Sequence, residues 1–501
     1  MGKSWSLGGS RVGMEAADGA EEIDEKLPLK IVVLGDFSGR GSQRNAKARG
    51  SGAIRAFAID RDNFEQVLQH FNVRLDGVPV TPSGELGSVP IDSLDDFHPD
   101  ALLQRVASLR ALRELRGRLS KRETFVAAME EAKTLLEPPS SPSSSPPTLA
   151  FRDEAQAPAA TNSNPSEGGS LLDQILDASE SGEAPPPRRL NEIERYAQAM
   201  MAPYSIPADD PRQDAWLDTA DQATAFALQQ LLHSRPFREL EARWRSLDWL
   251  VRRVDSDVNI KVAVIDLSEQ ELRNDLNASN LAESALYELF VQRPKLKQEP
   301  GWNVIVLDQR LTSSLADVEV LGKLSLIAND CRARLLIGLT DDAVGCVAGD
   351  KPFQPAEMQR PSETWLSVRR LPDTKQTSLL WPGFLLRQPY GSKTSPVESL
   401  ELEELSGVQP ANAMLIGNGA YLAAAQLIRE HEEESGSDYT GLPCVVLPDG
   451  GGKQMVPATG WWLRDTAVEH LQRIGVTPVF ALPHAGALRL FPLRSFHITE
   501  E

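Results

Sequence analysis

Between Glu137 and Arg189 the chain is written almost entirely in Pro, Ser, Ala, Gly and Glu, and Ser140 to Pro147 is nearly pure Ser and Pro. Such a stretch has no apolar face to bury and gains no regular backbone pairing, so it cannot form a packed core. Whatever the 501 residues fold into must be built from the blocks on either side of it. One apolar island interrupts the run: Leu171-Leu172-Asp173-Gln174-Ile175-Leu176, within 170–176, has the spacing of a short amphipathic helix able to dock on a partner surface. At this length a flexible coil spans about 40 Å, enough to join blocks within one protomer or between neighbours.

The first block begins after a Gly-, Ser- and acid-rich arm over residues 1–26. Leu29 to Leu34 is a short β-branched run stopped by Gly35, which predicts a buried strand entering a turn at Asp36-Phe37-Ser38-Gly39. Phe64, Val67, Leu68 and Phe71 then lie on one helical face. Val73 to Leu75 and Val78 to Val80 flank Asp76-Gly77, a pair suited to a tight hairpin turn. Leu102, Val106, Leu109, Leu112 and Leu115 recur at three- and four-residue steps and predict an amphipathic helix running to about Leu136, with Asp96 or Asp100 as its cap and Pro99 at its entrance.

In the second block, Leu240, Trp244, Leu247 and Val251 align on one helical face, with a break or start at Pro236. Strand-like runs at Ile260–Leu267, Trp302–Leu307 and Arg334–Leu339 alternate with a helical stretch over Leu321–Asn329. Interleaving of this kind predicts an α/β fold, mixed α+β in detail, with mixed sheets flanked by helices. The expected organisation is a flexible arm over 1–26, a domain over 27–136, a linker over 137–189 and a domain over 190–501.

Motifs for bond-making chemistry are missing from the sequence. Gly35-Asp36-Phe37-Ser38-Gly39 and Asp449-Gly450-Gly451-Gly452-Lys453-Gln454 both lack the order of a phosphate-cradling loop, and read as a structural turn and a hairpin tip. His431-Glu432-Glu433-Glu434-Ser435 puts Ser435 where a zinc helix needs its second histidine. The acidic run Glu401 to Glu404 reads as a solvated face or one set opposite arginines, and Trp244 as core. No catalytic residue, metal site or cofactor is expected. A net charge of −19 disfavours nucleic acid and anionic membrane as partners. Three cysteines, Cys331, Cys346 and Cys444, with neither zinc spacing nor a disulfide framework, and no run long enough to span a membrane, predict a cytoplasmic protein.

Several segments are more particular than these readings require. Leu29 to Arg40, Ala58 to Phe64 and Ser93 to Asp100 resemble, in the same order, the small sheath subunit of type VI secretion systems, the TssB (VipA)-like family. Leu34, Gly35, Asp36, Phe37, Asp96, Phe97 and Pro99 carry that likeness. Beyond the linker the resemblance passes to the large subunit, the TssC (VipB)-like family. It begins at Leu171 and Leu172, is most specific at Phe237 to Val251 with Trp244 and Leu247, and returns at Ser284 to Tyr287. It is found again at Arg387, Pro389, Tyr390 and Gly391, and at Gly417-Asn418.

The resemblance implies a bacterial, non-enzymatic sheath component with both subunits fused in one chain. It would assemble with copies of itself into a helical sheath around an inner tube and shorten to eject that tube. Neighbours would be held by exchanged strands, with Leu29–Leu34 as the candidate, and the inner tube protein, a baseplate and a recycling ATPase are the further partners implied. Gly475 to Pro478 resembles a late segment of large subunits beyond which those chains continue, so the usual C-terminal extension is expected to be lacking. Two alternatives remain open: a non-polymerising cap, initiator or adaptor of the sheath, and a nucleotide-dependent α/β enzyme, which would need a phosphate site.

Overall fold

The computed structural model describes residues 28–42, 54–136, 210, 212–254, 259–349, 353–449, 452–483 and 486–498. The arm over 1–26, the linker over 137–189 and its island with Leu171 and Leu172 lie outside the described residues. The described parts of 1–118 and 218–501 form one compact unit, and those of 119–217 a second.

The larger unit is organised by a nine-stranded sheet. In chain order its strands are β1 (Leu29–Gly35), β2 (Phe57–Ile59), β3 (Ile260–Asp266), β4 (Val304–Leu311) and β5 (Arg334–Leu339), followed by β6 (Thr377–Trp381), β7 (Asp438–Tyr439), β8 (Val476–Ala481) and β9 (Leu488–Leu490). Across the sheet they run β7-β9-β8-β6-β5-β4-β1-β3-β2. The inner strands β8, β6, β5, β4, β1 and β3 are mutually parallel, while β2, β9 and β7 pair antiparallel at the two margins. Mixed α/β architecture is therefore what the alternating runs produce. Each of the runs predicted as a strand in the second block is a strand of this sheet.

β1 is the pivot. Leu29 to Gly35 pairs residue for residue with Ile260 to Asp266 on one side, and Ile31 to Leu34 pairs with Val304 to Leu307 on the other. Ile31, Val32, Val33 and Leu34 are all buried, because a parallel strand covered on both faces needs an unbroken apolar run. Val32 and Leu34 join one core with the helices Glu269–Leu276, Leu315–Cys331 and Asp465–Arg473. The helix Gly419–His431 packs on β1, β4, β5 and β6 from outside that core, and against the helix Arg235–Val251. Leu29–Leu34, expected to be exchanged between neighbours, pairs in this single chain with strands of its own sheet. Both edges of β1 are occupied by strands of its own chain, and removing it would split the sheet.

Two local expectations also change. Asp76-Gly77 is not a hairpin turn: Arg74–Pro79 runs through it as one strand, paired with Leu86–Pro90, and the register shifts between Asp76 and Val78. Gly77 takes φ +72° to make this bulge, which sets Leu75 and Val78, three residues apart, on the same buried face. The turn lies further on, where Gly84 N–H bonds Thr81 O at 3.0 Å and Glu85 N–H bonds Thr81 Oγ1 at 2.9 Å.

The long Leu/Arg helix is likewise divided into Pro99–Arg105, Ala107–Leu119 and Arg122–Leu136. β-branched Val106, a poor helix former, turns extended at ψ 120°, yet all five predicted leucine and valine positions are buried. The cap is neither Asp96 nor Asp100 but His98, whose ring accepts from Asp100 N–H, with Pro99 in the first turn. Asp96 instead closes a capping box with Ser93 one turn earlier.

In the smaller unit, Phe125, Ala128, Met129 and Ala132 form the buried stripe of the helix Arg122–Leu136, and Gln213 donates to Leu119 O at 2.8 Å.

Candidate functional site

The turn after β1 is built around a close approach. A Cβ at Gly35 would stand 2.9 Å from Asp308 Cβ, so glycine lets β1 end against β4. Asp36 then turns its carboxylate back onto the chain, accepting from Arg40 N–H at 3.0 Å and Gly41 N–H at 2.6 Å. Phe37 is fully buried and meets Trp244 edge to face, ring centres 5.3 Å apart, while Trp244 Nε1 donates to Phe37 O at 2.9 Å. A buried indole needs such an acceptor.

Beside Trp244, Arg243 donates to Asp36 O and to Asp308 Oδ2, each at 2.6 Å. Asp308 also accepts from Tyr421 OH at 2.8 Å. Burial opposes the charge of Arg243, but Asp308 and Asp36 outweigh it and hold the guanidinium protonated above its ordinary range. Burial, reinforced by Asp308, pushes the Tyr421 phenol up. Asn418 donates to Leu307 O and Asp308 O and caps the helix that carries Tyr421 through Ala420 N–H. Its neighbour Gly417 is hemmed in: a Cβ there would stand 2.7 Å from Ser246 Oγ. The Ser246 hydroxyl is buried with no hydrogen-bond partner among the described residues.

A second junction joins the Asp96–Asp100 segment to Arg387–Glu404. Asp96 accepts from Asp92 and Ser93 N–H groups and pairs with Arg105 at 3.0 Å, and Phe97 meets Phe237 edge to face at 5.6 Å. His98 meets the Tyr390 ring at 5.1 Å, and Asp100 accepts from Glu398 and Ser399 N–H. Those bonds help hold the Asp100 carboxyl below its ordinary value, although burial pulls the other way. Arg387 lies between Glu241 and Glu404, with contacts of 2.8 Å and 2.7 Å, and its guanidinium covers the Tyr390 ring at 4.2 Å. Glu241 is fully buried; burial alone would raise its pKa, but Arg387 and Arg245 bring it below the ordinary value. Pro389 O accepts from Thr394 Oγ1, and a Cβ at Gly391 would stand 2.7 Å from Glu403 Oε2.

Leu34, Gly35, Asp36, Phe37, Trp244, Gly417 and Asn418 are thus brought together at the carboxyl end of β1. Asp96, Phe97, Pro99, Arg387, Pro389, Tyr390 and Gly391 are brought together at the second junction, and Leu247 is buried on the helix between them. The partners that sequence reasoning missed are charged: Glu241, Arg243 and Asp308. Glu404, in the acidic run read as a solvated face or one set opposite arginines, is buried against Arg387. Glu241 had a signal, since it falls within the apolar stripe Phe237, Leu240, Trp244 where a charge must be paired.

At the carboxyl ends of β1, β3 and β4 a cleft of about 510 Å³ opens, lined in part by Asp36, Gly41, Arg243, Asp308, Arg310 and Asn418. No group of three or more His, Cys, Asp or Glu that could hold a metal ion occurs among the described residues. Nor is any helix among them long and apolar enough to cross a membrane.

Comparison with known proteins gives two separate matches. Residues 11–139 match the family described as Type VI secretion system, VipA, VC_A0107 or Hcp2, and residues 214–484 match EvpB/VC_A0108, tail sheath N-terminal domain. The type VI secretion system sheath protein TssC1 of Pseudomonas aeruginosa is 27% identical over 270 residues, 50% of this chain and 54% of that protein. The sheath protein TssB1 of the same organism is 32% identical over 117 residues, 22% of this chain and 65% of that protein. The chain thus spans about half of the larger relative and under two thirds of the smaller. With the VipB-type match covering more than half of its length and a VipA-type segment ahead of it, the chain belongs to the tail sheath family of type VI secretion as a fused sheath protein.

Proposed function

We propose that the protein is a structural subunit of a type VI contractile sheath, acting without catalysis, that assembles with copies of itself around an inner tube and drives its ejection by contraction. The observation that carries this reading is the position of β1: a strand from the VipA-type segment lies inside the sheet of the VipB-type segment. One chain thereby contains the interlocked pair that two sheath subunits would otherwise have to form. Fusion fixes their ratio at one to one. In this reading the inner tube protein and the baseplate are further partners, a recycling ATPase acts on the assembled form, and the site of action is the bacterial cytoplasm. The motif residues would serve assembly indirectly, by fixing the shape of the building block.

Electron microscopy of the purified full-length protein tests the proposal. Helical tubules with a cogwheel cross-section are expected. Particles that stay monomeric at high protein concentration would instead favour a cap or adaptor that binds a sheath end without polymerising.

A further inference from the structure

The geometry points to the cleft at the carboxyl ends of β1, β3 and β4 as a binding site for a small anionic molecule carrying a phosphate or carboxylate group, with Arg310 as its charge partner. Three independent features converge on it. The first is topological. From β1 the chain turns toward Trp244 and the helix Arg235–Val251, whereas from β3 and β4 it leaves for the helices Glu269–Leu276 and Leu315–Cys331, which belong to the core on the other face. Where exits from adjacent parallel strands diverge, a crevice forms outside their carboxyl ends, and open α/β sheets hold ligands in that crevice. Its volume of about 510 Å³ is that of a small-molecule site.

The second feature is a break in register. β4 pairs evenly with β5 up to Leu307↔Ile337, then resumes only at Leu311↔Leu339, and its pairing with β1 ends at Leu34↔Leu307. Asp308, Gln309 and Arg310 therefore run past the end of β1 as an irregular stretch, and all three line the cleft. Irregularities of this kind re-aim side chains beside functional sites.

The third is what the cleft leaves without a hydrogen-bond partner. Each carboxylate lining it accepts from within: Asp36 from the backbone N–H groups of Arg40 and Gly41, Asp308 from Arg243 and Tyr421, Asp317 from Arg273 and Thr312, Glu239 from Arg235, and Glu269 from Arg273. Arg243 and Arg235 are used in those pairs. Arg310 is exposed and makes no hydrogen bond or ion pair among the described residues. Its charge also reaches Arg238, whose pKa is lowered chiefly by burial and further by Arg310. A guanidinium can only donate, and its complement is an oxyanion able to accept two parallel hydrogen bonds.

Isothermal titration calorimetry on the full-length protein provides the test, with inorganic phosphate as one probe and citrate as the other to separate phosphate from carboxylate recognition. Saturable binding of at least one probe is expected, weakened about tenfold or more in Arg310→Gln. Arg370→Gln, which removes an exposed arginine outside the cleft, should bind as the unaltered protein does. Circular dichroism checks each fold. If Arg310→Gln fails that check, Gln309→Glu, which sets a carboxylate beside the same guanidinium, must weaken binding instead. No saturable binding of either probe, or equal binding after the charge at Arg310 is removed or neutralised, overturns the assignment. Because the readout does not require tubules, its failure leaves the sheath reading standing, and failure of assembly leaves the site standing.

Discussion

Trp244 Nε1 donates a 2.9 Å hydrogen bond to the carbonyl of Phe37, 207 residues away in sequence, and the two rings meet edge to face. One partner belongs to the VipA-type match and the other to the VipB-type match. Their contact is as buried as any in the core.

Trp244→Ala should therefore destabilise the whole larger unit. Truncating a fully buried tryptophan costs about 3–5 kcal/mol. Trp244→Phe keeps much of the ring packing but leaves the Phe37 carbonyl without its donor, a smaller loss of about 1–3 kcal/mol. Thermal unfolding followed by circular dichroism should rank the two in that order. Limited proteolysis should show segments before and after the linker losing protection together. Loss of protection in only one of them would mean that the segments do not share a core.

The buried cluster Arg387, Glu241 and Glu404 gives acid sensitivity with a definite sign. The Glu241 pKa is depressed on folding relative to its ordinary value of 4.5, so its contribution is complete above pH 4.5 and is lost as the pH falls through the folded value. Glu241→Gln should be less stable than the unaltered protein at neutral pH by about 3–5 kcal/mol, since it leaves buried arginine charge unmatched. It should also lose less stability than the unaltered protein on going below pH 4.5. Melting curves across that range decide the matter, and parallel acid profiles would show that other carboxylates control the transition.

How far the sequence reveals all this depends on the range of the interaction concerned. The β-branched run Leu29–Leu34 and the stripe Leu240, Trp244, Leu247 are local patterns, and both identify buried elements correctly. Asp76-Gly77 is misread because its positive φ serves a bulge as well as it would serve a turn, and only the pairing with Leu86–Pro90, which sets Leu75 and Val78 on one buried face, tells which. That β1 fits between β3 and β4 is a pairing across more than 200 residues, and no local spacing encodes it. The same holds for Arg243, whose partners Asp36 and Asp308 come from two other strand ends.

The two faces of β1 offer a direct check of its inner position. In a strand with one solvent face, an acid is tolerated at every second residue. Val32 and Val33 point to opposite faces and both are fully buried. Val32→Asp and Val33→Asp should each abolish soluble expression or lower the melting temperature sharply, since either puts an unpaired carboxylate in the interior. If one of them behaves like the unaltered protein, that face of β1 is open to water and is not covered by the helices packed on it.

Ser246 makes the opposite prediction, that removing a polar group helps. Its hydroxyl is buried with no partner among the described residues, so it was desolvated on folding without a compensating bond. Ser246→Ala should raise stability by up to about 1 kcal/mol. Gly417→Ala should do the reverse, because the added Cβ would stand 2.7 Å from that same hydroxyl and 3.0 Å from Leu386 Cδ2. Combining the two removes the first clash but not the second. The double variant should therefore recover part of the loss caused by Gly417→Ala, beyond what the gain from Ser246→Ala alone would add. A double-mutant cycle on melting temperatures measures that coupling. Strict additivity would place the strain of an alanine at 417 on Leu386 alone and not on the Ser246 hydroxyl.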